Sequence, residues 1–312
     1  MTNLDSKSCS EKIIFEKQYI CSFDSKKIHT YTSNNIGNKI IIICHGMAEH
    51  FERYYNFANE LIKNNYKVFG YNQRGHYLTD SKDNYGYMDD KDNFEILVKD
   101  LNFFINYLKD KYNLPIYLFG HSMGSFVSTR FVQIYNNKLI SGLVLSGSGL
   151  NNNFLLSFGI SLGKIIKTFK GKKYRSKLLD KITFGSFNNK FKPSRTPFDW
   201  LNTDKTEVDK YINDEYCGGI FTVSYFIDFF KGCKKISKNF SKINKDLPIL
   251  IISGLDDPVG NMGKGVTKLS NKIKKFNSDI QIKLYQNARH EILLERDKDI
   301  IIKDIISWLD RK

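Results

Sequence analysis

The sequence predicts an α/β protein with a mostly parallel sheet, organised as one large domain that carries an insertion. Three observations predict it. Short β-branched apolar runs alternate with segments of helical periodicity, the alternation stops between Gly149 and about Lys245 before resuming, and 312 residues are enough to bury a large core. The run Lys39-Ile40-Ile41-Ile42-Ile43-Cys44 is apolar at successive positions, as a strand covered on both faces requires.

Taken in order, Lys12 to Ile20 and Lys27 to Thr32 read as strands separated by the turn residues Ser22-Phe23-Asp24-Ser25. The buried strand at Lys39 to Cys44 ends on His45-Gly46-Met47-Ala48-Glu49-His50. A helix over Asn56 to Lys63 and a strand over Lys67 to Tyr71 lead into Asn72-Gln73-Arg74-Gly75-His76. From Phe94 the positions Leu97, Val98, Leu101, Phe104, Ile105 and Leu108 repeat at helical spacing and predict a long amphipathic helix. Pro115 introduces a strand, Ile116 to Phe119, and Ser125 to Val132 reads as the helix after it. Leu143 to Ser146 is a further strand. Beyond the insertion, Pro248 to Ser253 and Ile280 to Tyr285 resume the sheet, and a helix holding Ile301, Ile302, Ile305, Trp308 and Leu309 closes the chain.

Composition narrows the class. The chain is 41% hydrophobic and 14% aromatic, as in a folded globular protein. No apolar run reaches the ~18 residues of a membrane span, and Met1 to Ser10 lacks the apolar core of a signal peptide, so a cytoplasmic protein is expected. Cys9, Cys21, Cys44, Cys217 and Cys233 are odd in number and scattered, which fits reduced thiols rather than a disulfide framework or a zinc site. The net charge of +15 favours anionic surfaces, but no nucleic-acid motif accompanies it, and specific nucleic-acid binding is not expected.

The chemistry centres on Gly120-His121-Ser122-Met123-Gly124, a G-x-S-x-G pentapeptide between a strand and a helix. Glycines there allow a strained turn that exposes the serine hydroxyl at the strand end. Chance supplies the pentapeptide in about one chain in ten of this length, so its surroundings must carry the reading. A serine needs a base, and the base needs a group that fixes its tautomer. Catalytic groups of α/β sheets gather beyond the carboxyl ends of strands. His290 lies there, after the last strand, whereas His29 falls within a strand and His121 inside the turn. Asp256 and Asp257 both follow the strand ending at Ser253, and either serves as the acid on position alone. The order serine, acid, histidine matches that of α/β-hydrolases. The oxyanion donors expected are the backbone N–H of Met123, just after the serine, and that of Met47, with His45 and Gly46 forming the turn that presents it.

Together with Arg74-Gly75-His76, Gly254-x-x-Asp257-Pro258-Val259 and Ala288-Arg289-His290-Glu291, these segments resemble the monoglyceride lipase and lysophospholipase branch of the α/β-hydrolases, with its serine aminopeptidase-like hydrolase domain. The likeness runs over nearly the whole chain and is weakest in the first ten residues and from Asn151 to Asn202. It implies a sheet of about eight mostly parallel strands with helices on both faces, one domain over 1–312 and an inserted helical lid over 150–245. It also favours Asp257, three residues after a glycine and before a proline, as the acid. Two positions depart from the family pattern: Tyr77 stands where a second glycine is usual, and Ala48 where H-G-x-G-E-H has glycine. The activity implied is hydrolysis of single-acyl lipid esters by Ser122, His290 and Asp257 without metal or organic cofactor. A peptidase or thioesterase on the same scaffold, or a noncatalytic binder of lipid or a partner, are the alternatives. Phe221, Tyr225 and Phe226 are expected to line the acyl channel unless the aromatic run is plain core. The apolar stretch Phe154 to Leu162, followed by a lysine-rich tract, fits either contact with an anionic membrane or a lid helix with a solvated basic face.

Overall fold

The computed structural model describes residues 15–88, 93–135, 139–150 and 152–312. Cys9, the start of the expected first strand at Lys12 and Asn151 at the head of the weakly similar stretch lie outside the described residues. Strands β1 (Phe15–Cys21) and β2 (Lys27–Ser33) form an antiparallel hairpin. Then come β3 (Lys39–Cys44), helix α1 (Tyr55–Lys63), β4 (Tyr66–Tyr71), α2 (Asn93–Tyr112), β5 (Ile116–His121), α3 (Met123–Ile134) and β6 (Gly142–Ser146). Four helices follow before the next strand: α4 (Asn153–Lys170), α5 (Lys177–Phe184), α6 (Lys205–Asn213) and α7 (Val223–Ile236). The chain ends with β7 (Ile249–Gly254), α8 (Lys264–Lys274), β8 (Ile280–Tyr285) and α9 (Lys298–Asp310).

The eight strands lie in the order β1-β2-β4-β3-β5-β6-β7-β8. β2 is antiparallel to β4, and every pairing from β4 to β8 is parallel. Side chains of a strand alternate between faces, so a strand covered on both must be apolar throughout. Ile40, Ile42, Leu118, Leu143, Leu145, Ile249 and Ile251 accordingly face one core, with Leu101 and Phe104 of α2, Val127 of α3 and Leu269 of α8. Ile41, Ile43, Phe119, Val144, Leu250 and Ile252 face the other, with Phe57 and Leu61 of α1 and Ile305, Trp308 and Leu309 of α9. The six apolar positions that predicted α2 are all buried in the first core, each contributing roughly 1.5–3 kcal/mol.

The aromatic run from Phe221 belongs largely to α7, whose first turn is capped by the Thr222 side chain accepting from the Tyr225 N–H. α7 packs against α2, α3 and α4, and so anchors the inserted helices to the sheet layer. α4 uses only a narrow stripe for that contact: Leu156, Gly159 and Gly163 are buried, while Phe154 and Phe169 are 77% and 81% exposed.

Candidate active site

The parallel strands β3, β5, β6 and β7 end on the same side of the sheet, and the segments leaving them meet there. At the end of β5 the chain turns through Ser122 with φ 50 and ψ −119, a conformation outside the ordinary L-residue regions, and enters α3 at once. The turn is held on both sides: the Ser122 N–H donates to the Ser146 carbonyl at 2.9 Å, and Ser125 Oγ donates to the Ser122 carbonyl at 2.6 Å. Gly124 makes the geometry possible, because a Cβ there would stand 2.1 Å from the Cys44 carbonyl oxygen at the end of β3. The outcome is a partly exposed serine side chain at the rim of the sheet.

The loops after β7 and β8 are sewn together by the N–H groups of Leu255 and Asp256, which donate to the Tyr285 and Ala288 carbonyls at 2.8 and 3.0 Å. This sets His290 beside Asp257. His290 Nδ1 donates to Asp257 Oδ2 at 3.0 Å, and Asp257 also accepts from Ser253 Oγ at 3.1 Å and from the Val259 N–H at 2.8 Å. Of the two adjacent carboxylates, Asp257 is therefore the one bonded to the histidine, and it is fully buried. Burial opposes ionisation of Asp257, but the charge and hydrogen bond of His290 outweigh it and hold the carboxyl below its usual value. Burial likewise opposes protonation of His290, yet Asp257, Glu291 and Glu49 together hold the imidazole above its ordinary value.

Ser122 and His290 border one cavity of about 150 Å³. Ser122 Oγ makes no hydrogen bond among the described residues, which leaves it free toward the cavity; serine–base hydrogen bonds are commonly loose before substrate binds. His121 packs beside His290 with ring centroids 4.6 Å apart, bonds Ser146 Oγ through Nδ1 at 3.1 Å, and is held down to about 3 by burial, so its imidazole is neutral.

Met47 borders the cavity from the loop after β3, and Met123 opens α3 on the other side of Ser122. No acceptor among the described residues takes the N–H of either. His45 turns away from the cavity, its ring accepting from the Gln73 N–H at 2.9 Å while its carbonyl accepts from Gln73 Nε2 at 2.6 Å. Both departures from the family pattern fall at positive φ: Ala48 at 59° and Tyr77 at 41°. Tyr77 is compensated by stacking on His50 at 4.4 Å and meeting Tyr216 edge-on at 4.6 Å. Ala48 has no such ring, and is held by its N–H to His76 Nε2 and by its carbonyl, which accepts from Gly218 N–H and Tyr211 O–H.

Of the aromatic residues expected to line a channel, Phe221 borders the cavity. Tyr225 and Phe226 lie behind its wall, outside the lining: Tyr225 donates its O–H to Met123 Sδ at 3.0 Å, and fully buried Phe226 packs against Phe184 and Phe230. The apolar wall instead consists of Phe184, Phe198, Trp200 and Leu201 with Phe221, and the Trp200 ring centroid is 5.1 Å from that of His290. None of the first four is among the residues expected from the sequence to line a channel. The polar lining comprises Glu49, His121 and Glu291 from the sheet loops and Asp180 of α5.

Among the described residues one group with metal-ligating atoms is close-set: His50, Asp214 and Cys217, within 4.8 Å of one another. His50 Nε2 already bonds Asp214 Oδ2 at 2.7 Å, and burial pushes the Cys217 thiol up, away from the thiolate a metal takes. The His50–Asp214 contact ties the loop after β3 to the inserted segment.

A doubly covered, mostly parallel sheet with a strained serine between strand and helix, and an aspartate-bound histidine beyond later strands, defines an α/β-hydrolase. Residues 37–297 match the model of the serine aminopeptidase, S33, family, and the chain belongs to that family. It is similar to monoglyceride lipase of Saccharomyces cerevisiae, 26% identical over 309 residues covering 89% of this chain and 86% of the relative, and to human monoglyceride lipase, 23% identical over 88% and 82%. Among solved structures, a thermostable carboxyl esterase from Bacillus coagulans superposes with a TM-score of 0.86 at 26% identity, covering 96% of this chain and 99% of that one. A soluble variant of the yeast monoglyceride lipase in complex with a substrate analog shares the fold at a TM-score of 0.75, 22% identity and 96% coverage of both chains.

The left-handed Ala48 gives a stability test. Relief of a left-handed non-glycine residue is worth about 1–2 kcal/mol, and the freer unfolded chain of glycine takes back about 0.4–1. Ala48→Gly is expected to raise unfolding stability by about 0.5–1 kcal/mol in urea titration, and a loss of stability would show that Ala48 is not strained.

Proposed function

We propose that the protein is a serine hydrolase cleaving carboxylic esters of lipids with one acyl chain, monoacylglycerol foremost. The observation that carries the reading is the mixed lining of the cavity: aromatic and aliphatic side chains mostly from the inserted segment, polar ones mostly from the sheet loops, with Ser122 and His290 on its border. An ester with an alkyl chain and a hydroxylated leaving group matches both kinds of lining. The names of the relatives point the same way, several being monoglyceride lipases.

In this mechanism Ser122 Oγ attacks the ester carbonyl while His290 Nε2 takes its proton. The Met47 and Met123 N–H groups hold the oxyanion, each donor lowering the barrier by roughly 3 kcal/mol. Asp257 fixes the histidine tautomer and stabilises the imidazolium. His290 returns the proton to the leaving alcohol, the C–O bond breaks, and a water deprotonated by His290 then releases the fatty acid from Ser122. Of the carboxylates bordering the cavity, Glu49 and Glu291 are bonded to Arg53, whereas Asp180 of α5 has no such partner among the described residues and is the group an aminopeptidase would offer to a substrate ammonium.

The helices α4 to α7 act in this reading as a lid within a single domain, and the outer face of α4 meets the lipid surface. Phe154, Leu155, Phe158, Ile165 and Phe169 are exposed there beside Lys164, Lys167 and Lys170. Among the described residues no helix is long and apolar enough to cross a membrane, so contact of this kind is peripheral.

Monoolein, lysophosphatidylcholine, an acyl thioester and a prolyl anilide should rank with monoolein first, and Ser122→Ala should abolish its turnover; full activity of that variant refutes the mechanism. Because the base must be neutral, kcat/KM should fall on acidification through a pKa above the ordinary ~6.5 of histidine. Asp257→Asn removes the charge that raises it, so the acid limb should move down while kcat drops about 10⁴-fold. For the lid, wild-type protein should co-sediment with vesicles containing phosphatidylserine, and a Phe154→Glu, Phe169→Glu variant should stay in the supernatant with its hydrolysis of a soluble nitrophenyl ester unchanged. Equal sedimentation of both would remove α4 from membrane contact.

A further inference from the structure

Glu49, Arg53 and Glu291 form a buried line of alternating charge beside the reacting groups. Arg53 Nη1 donates to Glu49 Oε2 at 2.9 Å and to Glu291 Oε1 at 2.5 Å, and Nη2 donates to Glu291 Oε2 at 2.9 Å. The three side chains are 10%, 5% and 6% exposed for Arg53, Glu49 and Glu291. Each end of the line reaches a different part of the site. Glu49 Oε1 accepts from the Gly46 N–H at 2.5 Å, immediately before Met47, and from Tyr54 O–H at 2.7 Å. Glu291 directly follows His290, and its own N–H donates to the Leu201 carbonyl in the cavity wall at 2.8 Å. The guanidinium also lies 4.8 Å over the Tyr211 ring, whose hydroxyl donates to the Ala48 carbonyl. Buried ion pairs are expensive to desolvate and add little net stability, so a fully bonded one that joins two functional loops points to a geometric role.

We propose that Arg53 and Glu291 are positioning residues that fix the spacing between the oxyanion loop at Gly46-Met47 and the base at His290. Arg53 lies outside the lining of the cavity that Ser122 borders, and acts by clamping Glu49 on one loop and Glu291 on the other. The inference rests on the proposed roles of Ser122 and His290. Since the donors must meet the oxyanion while the imidazole meets the serine and the leaving oxygen, a small change in their spacing should weaken transition-state binding more than ground-state binding.

The test compares Glu291→Gln, Arg53→Lys and the pair Arg53→Met with Arg53→Met, Glu291→Leu in the full chain, with monoolein as substrate and thermal unfolding followed in parallel. Glu291→Gln should lower kcat on the order of tenfold with KM within about twofold of wild type. His290 faces Asp257, His121 and Glu291 and feels Glu49, so loss of the Glu291 charge should also move the acid limb of kcat/KM downward. Arg53→Lys keeps the charge but cannot bridge both carboxylates in one plane, and should lose kcat while remaining folded. The double variant should be no slower than Arg53→Met, because both break the same link. If Glu291→Gln and Arg53→Lys lower only the melting temperature, with kcat and the acid limb at wild-type values, the clamp is structural and the proposal is overturned. Should Arg53→Met not fold, Glu291→Gln and Arg53→Lys still decide. Full activity of Ser122→Ala in the same assay would instead refute the hydrolase reading beneath it.

Discussion

The close approach of α3 to the end of β3 is the constraint on which the site depends. Gly124 lies so near the Cys44 carbonyl that no side chain fits between them. That contact lets α3 begin one residue after Ser122, which forces the serine into its strained backbone conformation and turns its side chain outward. It also brings the first N–H of α3 alongside the loop that carries Met47. A strained residue persists only where its surroundings over-determine it, and here the Ser146 carbonyl, the Ser125 hydroxyl and the β3 backbone all do so.

From that fixed point the site divides by chemistry. The sheet loops supply most of the bonded ionisable groups, Asp257 to His290 and Glu49 and Glu291 to Arg53, while His50 bonds Asp214 of the inserted segment. The inserted segment supplies aromatic surface and is tied to the loops at many points, among them Tyr211 on Ala48, Leu201 on Glu291 and Phe221 against His76.

Much of this was legible in the sequence because the relevant signals are local. Runs such as Ile40 to Ile43 reveal a doubly covered strand, and the glycines around Ser122 reveal a turn that other residues cannot make. Asp257 over Asp256 needed the family pattern, since position alone leaves both open. The cavity wall was not legible. Trp200 and Leu201 lie in a single short turn and Phe184 at the end of the two-turn helix α5, segments too short to stand out, while Tyr225 and Phe226, in the conspicuous aromatic run, are buried in the core. Nor could the sequence join Arg53 to Glu291 across 238 positions, although Glu49 and Arg53 stand at the i, i+4 spacing of a paired turn. The departures at Ala48 and Tyr77 were visible as missing glycines, but only the backbone reveals that both carry positive φ.

The proposed function requires that Ser122 be the nucleophile and that a single-acyl lipid reach it. Peptide mass mapping after treatment with a fluorophosphonate, with and without monoolein, tests both parts at once. One adduct is expected, on the peptide carrying Ser122, formed more slowly when monoolein is present and absent from Ser122→Ala. No adduct, or an adduct on another residue with Ser122 untouched, would contradict it.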